Sequence, residues 1–118
     1  MKRLVGSKIR LLAGLTILLA VFCISGSCTK KTDTPGPNEV FIQNMAFEPG
    51  TITVTANTTL IWINKDALAH TVTSNTGLFD SGSISTNATF TCLFITPGSY
   101  PYHCSIHPSM SGTVIVNQ

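Results

Sequence analysis

In TITVTAN, residues 51–57, Ile52, Val54 and Ala56 alternate with threonines and an asparagine. A period of two sends successive side chains to opposite faces, so this segment can bury one apolar face only as a strand. The habit recurs along the chain. VFIQNMAF reads as a short β segment separated from TITVTAN by the turn EPG, and TTLIWIN follows a polar break. ATFTCLFI sets Ala88, Phe90, Cys92 and Phe94 on one face, TPGS turns the chain, and GTVIV closes it. No useful length has helical periodicity. Short strands rich in Thr, Val, Ile and Phe, punctuated by Gly and Pro, predict an all-β fold. The expected form is a Greek-key antiparallel β-sandwich of about seven or eight strands.

That domain is expected to span 39–118, roughly 80 residues, which is enough for one core with a thin margin of buried surface. Ahead of it the composition changes. MKRLVGSKIR carries four of the seven basic side chains, and LLAGLTILLAVFCI follows as an apolar run of fourteen. The run is shorter than the roughly 18 to 20 residues that cross a bilayer, and with its basic flank it reads as a secretory signal over residues 1–27. Small residues then precede Cys28 in SGSC. This resembles the lipobox at which a bacterial lipoprotein is cleaved and its new N-terminal cysteine lipidated, although Ser25 stands where leucine is more usual. Cys23, behind the bulky Phe22, is a poor substitute. Lipidation at Cys28 would anchor an exported protein on the periplasmic side of a membrane, and Thr29 in place of Asp favours the outer one. Residues 28–38, with no apolar residue after the cysteine, are expected to be a flexible linker; the ten residues of TKKTDTPGPN would span about 17 Å as a coil.

Without residues 1–27, three lysines face five acidic side chains, a net charge of −2 where the full chain has +2. No basic patch remains to attract nucleic acid, and no charge run remains for a membrane surface. The lipid would be the only membrane contact.

The chemistry concentrates in YPYHCSIHPSM, residues 100–110. In a strand over YPYHC, Tyr100, Tyr102 and Cys104 share one face, while His103 points to the other. His103 therefore reads as a surface or supporting residue, and Cys104 faces inward. The loop after Cys104 must reverse into GTVIV, which can turn His107 and Met110 back toward the sulfur. A thiolate, a thioether and imidazole together favour copper, whereas zinc would be expected to replace the methionine. The remaining imidazole must come from His70, 34 residues before Cys104 and the only histidine upstream of the cluster. C-x-x-H-x-x-M with one distant histidine, in an exported all-β chain, is a specific signal, though each residue alone is not.

From residue 40 to 118 the chain resembles the cupredoxins, and its ligand loop is most similar to that of the amicyanin and plastocyanin family. The resemblance rests on FEPGTITV, IWINKD, HTV, GSYPYHC and HPSMSGTVIV in the family's order. It implies one type 1 copper ion as cofactor, with His70, Cys104 and His107 as equatorial ligands and Met110 as the axial one. It also implies that Tyr100, after Gly98, is the family's buried tyrosine at a Greek-key corner. Thr71 departs from the pattern, since many members carry asparagine after the first histidine; its hydroxyl is expected to donate a similar hydrogen bond.

Cys92 and Cys104 could instead pair as a disulfide in an oxidising compartment. That would leave His107 and Met110 without a purpose, and Cys92 lies on the apolar face beside Phe90 and Phe94. Three histidines are too few for the oxygen-reducing cluster of a multicopper oxidase, and a dinuclear centre would need a second cysteine in the loop. The sequence therefore predicts no enzyme and no small-molecule substrate. It predicts a monomeric one-electron carrier whose partners are redox proteins. Electrons would pass through the edge of His107, framed by Ile106 and Pro108 and by Met45. A copper-buffering or delivery protein would use the same residues.

Overall fold

The alternation in TITVT becomes strand β3 (Thr51–Thr55), in which Ile52 and Val54 are buried and the three threonines face solvent. The computed structural model describes residues 33–118. Its other strands are β1 (Glu39–Gln43), β2 (Ala46–Glu48), β4 (Thr58–Asn64), β5 (Thr73–Ser74), β6 (Thr89–Phe94), β7 (Gly98–His103) and β8 (Ser111–Asn117). Two four-stranded sheets result, ordered β2-β1-β4-β6 and β3-β8-β7-β5. Among the described residues no helix is long and apolar enough to cross a membrane.

The all-β sandwich is as expected, but the sheets are mixed rather than wholly antiparallel. β1 pairs with β4 in parallel, and so does β3 with β8. The cause is the route of the chain. After β2 it crosses into the second sheet as β3, then returns to the first as β4 running alongside β1.

VFIQNMAF is also two strands, not one. Asn44 and Met45 have φ of 54° and 59°, the left-handed pair that a tight two-residue hairpin requires. Asparagine tolerates this conformation; methionine does so at a cost. β1 breaks alternation because Val40, Phe41 and Ile42 are all buried. Over the Phe41 ring lies Lys65, its ammonium 4.5 Å from the centroid.

Of the segment read as a linker, residues 33–38 lie within the described unit, Asp33–Gln118. The Ile61 amide donates to the Asn38 carbonyl, and Gly36 and Glu39 close a turn through two hydrogen bonds. Lys65 pairs with Asp33. These ties hold Asp33 and Asn38 to residues of the sandwich. The signal segment and Cys28 lie outside the described residues.

The core is aromatic at its centre. Trp62 is fully buried and meets Tyr102 edge-on at 5.6 Å, Phe90 at 5.7 Å and Phe94 at 6.3 Å. Tyr102 in turn packs edge-on against Phe47 at 4.7 Å. The two sheets are thus joined by rings from β2, β4, β6 and β7, which makes a stiff frame for the loops at one end. Tyr100 is half-buried rather than buried, and its hydroxyl donates to the Thr96 carbonyl at the turn before β7.

Candidate metal centre

His70 arrives at the site through a buried asparagine. Asn64, at the end of β4 and fully buried, donates from Nδ2 to the carbonyls of Leu68 (2.8 Å) and Ile84 (2.9 Å). Its Oδ1 accepts from the Asp66 amide at 2.9 Å. One side chain thus shapes the loop 65–69. His70 then exchanges two backbone hydrogen bonds with Ile84, of 3.2 and 2.7 Å, which fix its main chain inside the protein.

Cys104 and His107 come from the β7–β8 loop. That loop closes on itself: the Met110 amide donates to the His107 carbonyl at 2.9 Å, and the Cys104 amide donates to the Met110 carbonyl at 3.1 Å. Met110 is buried among the core residues, as is Cys104. His103 points elsewhere, with Nδ1 on Asn75 Oδ1 at 2.6 Å.

Three donor atoms converge. Cys104 Sγ lies 3.8 Å from His70 Nδ1 and 3.8 Å from His107 Nδ1, and the two nitrogens are 3.1 Å apart. The centre of that triangle is about 2 Å from each corner, the length of a transition-metal bond to imidazole or thiolate. Two imidazole nitrogens and a sulfur around one such point fit a metal ion, and His70, Cys104 and His107 are the group of described residues that could hold one.

The tautomer of His70 is set from behind. Its Nε2 lies 2.9 Å from Asp66 Oδ2, and a carboxylate only accepts, so Nε2 carries the proton and Nδ1 presents its lone pair inward. Asp66 also accepts from the Asn44 amide (2.8 Å) and the Met45 amide (3.1 Å). Burial raises the Asp66 pKa, but these amides and the imidazole outweigh it and hold the carboxyl below its ordinary value. The strained β1–β2 turn and His70 therefore share one clamp. The sequence reading missed Asp66, although an acid four residues before the histidine in DALAH is a signal that could have marked it.

The sulfur is equally prepared. The amides of Thr71 and His107 donate to Cys104 Sγ at 3.3 and 3.4 Å. Burial raises the thiol's pKa, yet these amides and the two imidazoles bring it down to about 6. Burial alone pushes the Cys92 thiol up. Both cysteines are free, so no disulfide joins them. In metal-free protein, thiolate absorbance should rise in a component centred near pH 6 that Cys104→Ser removes and Cys92→Ser retains. A midpoint at or above the ordinary thiol value would contradict the hydrogen bonding described.

Thr71 bonds the loop as expected, but its part is not only that of a donor: its Oγ1 accepts from the Ser105 amide at 2.7 Å and lies 3.0 Å from the Ser105 hydroxyl, where either oxygen can donate. The effect is still to fasten the residue after Cys104 to the residue after His70. Outside, Ile106 is 49% exposed and Met45 43%, and Leu68, unnoticed in the sequence, is 55% exposed on the loop leading to His70. Pro108 is exposed and His107 half-buried.

A family model described as a cupredoxin-like domain matches residues 14–116. The chain belongs to the cupredoxin-like family. Amicyanin-alpha of Methylorubrum extorquens is 33% identical to this cupredoxin over 86 residues, 69% of this chain and 72% of that protein. A solved structure of an amicyanin variant in its Cu(I) form superposes with a TM-score of 0.66 at 28% identity, covering 73% of this chain and 87% of the other. The purple cupredoxin of Nitrosopumilus maritimus gives 0.62 at 28% identity, over 67% and 98%.

Proposed function

We propose that this cupredoxin holds one type 1 copper ion through His70 Nδ1, Cys104 Sγ and His107 Nδ1, with the Met110 thioether as the weak axial donor, and that it carries single electrons between redox proteins. The observation that supports this most directly is the closed set of donors, two nitrogens and a low-pKa sulfur, around one buried point. The family likeness and the amicyanin relatives support the same reading. Bound copper would supply a one-electron couple. The protein's part is to keep the donors from moving between oxidation states. Asp66 fixes one imidazole, paired amides fix the sulfur, and the loop's own hydrogen bonds fix the main chain that carries the other imidazole. Electrons would leave through His107, the half-buried member of the set, between the exposed Ile106 and Pro108.

Export and lipid attachment at Cys28 belong to the same reading and rest on the sequence of residues 1–28; the reading also takes the protein as a monomer tethered near its partners.

Ile106→Glu tests the role. A charge beside His107 that touches no donor should slow electron self-exchange while spectrum and copper retention stay as they were. Unaffected exchange, with Cu(I) passing readily to a competing apo-acceptor, would withdraw electron transfer in favour of copper delivery. Asp66→Ala tests the clamp. Releasing His70 Nε2 should weaken Cu(I) binding by about 10- to 100-fold in a chelator competition, with far-ultraviolet dichroism unchanged. Unaltered affinity would mean that the ring is held by packing alone.

A further inference from the structure

Beyond Thr71, the hydrogen bonds continue outward. Thr71 Oγ1 lies 2.9 Å from Thr73 Oγ1, and Thr73 Oγ1 donates to Asp80 Oδ1 at 3.3 Å. At the inner end, Thr71 Oγ1 accepts from the Ser105 amide at 2.7 Å and lies 3.0 Å from Ser105 Oγ. We propose that Asp80, on the surface, is a positioning residue for the 104–110 loop, acting through Thr73 and Thr71 on Ser105.

The argument is one of protons. A hydroxyl has one proton to donate and two lone pairs to accept with. Asp80 can only accept, so the Thr73 proton goes to it. Thr73 must then accept from Thr71, whose single proton is thereby committed. That leaves both lone pairs of Thr71 for Ser105, one for the amide and one for the hydroxyl, and its inventory is complete. Without the carboxylate the outer end would have no reason to choose. Thr73 could donate inward, Thr71 would turn its proton toward Ser105 Oγ, and only one lone pair would be left facing the loop. The one-way order also strengthens each bond, because every oxygen that donates becomes a better acceptor.

The carboxylate is itself held in place. Asp80 stands opposite Thr73 in an isolated bridge, and its Oδ1 also accepts from the Gly82 amide at 2.9 Å. Beside it, the Val72 amide donates to Ser81 Oγ at 2.8 Å and the Ser81 amide to the Val72 carbonyl at 3.0 Å. Thr73 pairs with His103 on its other side, so the relay runs across β5 into the end of β7. Ser105 sits between two of the three converging donors, Cys104 and His107. Holding its amide holds the spacing of both.

The inference rests on the copper reading only in treating 104–110 as a ligand loop. The measurement is made on metal-free protein and can fail without touching that reading. Amide hydrogen exchange of Ser105 is followed by NMR in the full chain, with amides of β8 as a reference for global opening. Asp80→Ala and Thr73→Val should each speed Ser105 exchange by about 1.5-fold, because the amide keeps its acceptor and loses only the strengthening that the ordered chain gives it, with β8 unchanged. The double variant should be no faster than either single one, since both cut the same chain. Thr73→Ser, which keeps the hydroxyl, should restore the slow rate. Ser105 exchange unmoved by Asp80→Ala, additive effects of the two changes, or a speed-up shared by β8 would each overturn the proposal.

Discussion

Copper-loaded Cys104→Ser protein should lose its intense visible absorption, while Cys92→Ser protein should keep it. That colour requires a copper–thiolate bond, and the two sulfurs sit in opposite surroundings. Cys104 receives two amide hydrogen bonds, faces two imidazoles and is drawn down to about pKa 6. Cys92 is half-buried on β6 and packs against the core, with its thiol pushed up by burial. The first is prepared to be a thiolate; the second behaves as a small apolar side chain. Serine at 104 leaves a hydroxyl that neither ionises nor gives the transition, so the loss should be complete rather than partial. Equal loss in both variants would point to a site that uses two cysteines, and the convergence on Cys104 alone would then have been misread.

The second large effect is on stability, at a glycine that touches no donor. A Cβ on Gly112 would lie 2.5 Å from both Cζ and the hydroxyl oxygen of Tyr102, and 3.0 Å from its Cε1. Such distances cannot persist, so either the ring or β8 must move. The ring cannot do so cheaply. It is fully buried and wedged edge-on between Phe47 and Trp62. Its hydroxyl and the Trp62 indole nitrogen already lack hydrogen-bond partners. Burial pushes the Tyr102 phenol up to about 12, even with the indole close enough to offset some of that. β8 is no freer, being paired with β7 and β3 at once. Gly112→Ala should therefore cost about 4 kcal/mol, at the upper end for a single substitution. For a domain of this size the melting temperature should fall by about 20 °C. Calorimetry on metal-free protein measures it, and Tyr102→Leu in the same chain should recover part of the loss. A drop of under about 1 kcal/mol would show that Tyr102 has room to shift.

The parts of this protein that could be read in advance are those in which a local pattern and a tertiary outcome coincide. Ile52 and Val54 alternate because one face of β3 is buried, and C-x-x-H-x-x-M is spaced by the tight loop that it must close. The parts that could not be read depend on partners far along the chain. Nothing near Asn44 and Met45 announces a left-handed turn; its support is Asp66, more than twenty residues away. Asn64 is a polar residue at the end of an apolar strand, and it is buried only because Ile84 comes to meet it. The parallel pairings are invisible for the same reason, since strand alternation carries no direction. Thr71 shows the limit most clearly. Its hydroxyl was expected to bond the loop, and it does, but whether it donates or accepts is decided by Ser105 on one side and Thr73 on the other.

The parallel pairing of β3 with β8 has a consequence for when the protein becomes competent. Thr51 lies beside Thr113 and Thr55 beside Asn117, so β3 waits for a strand that follows it only after β4 to β7. Contacts of such long sequence separation form slowly, because loop closure precedes any gain from them. The 104–110 loop is anchored on one side by that same final strand, and His70 reaches it from the middle of the sequence. A growing or truncated chain that lacks β8 should have no assembled site. Metal should then bind only the finished sandwich, and at a concentration 100 times its dissociation constant it would add about 2.7 kcal/mol to the native state alone. Metal uptake would thus serve as a late checkpoint, selecting molecules in which β3 and β8 have already met.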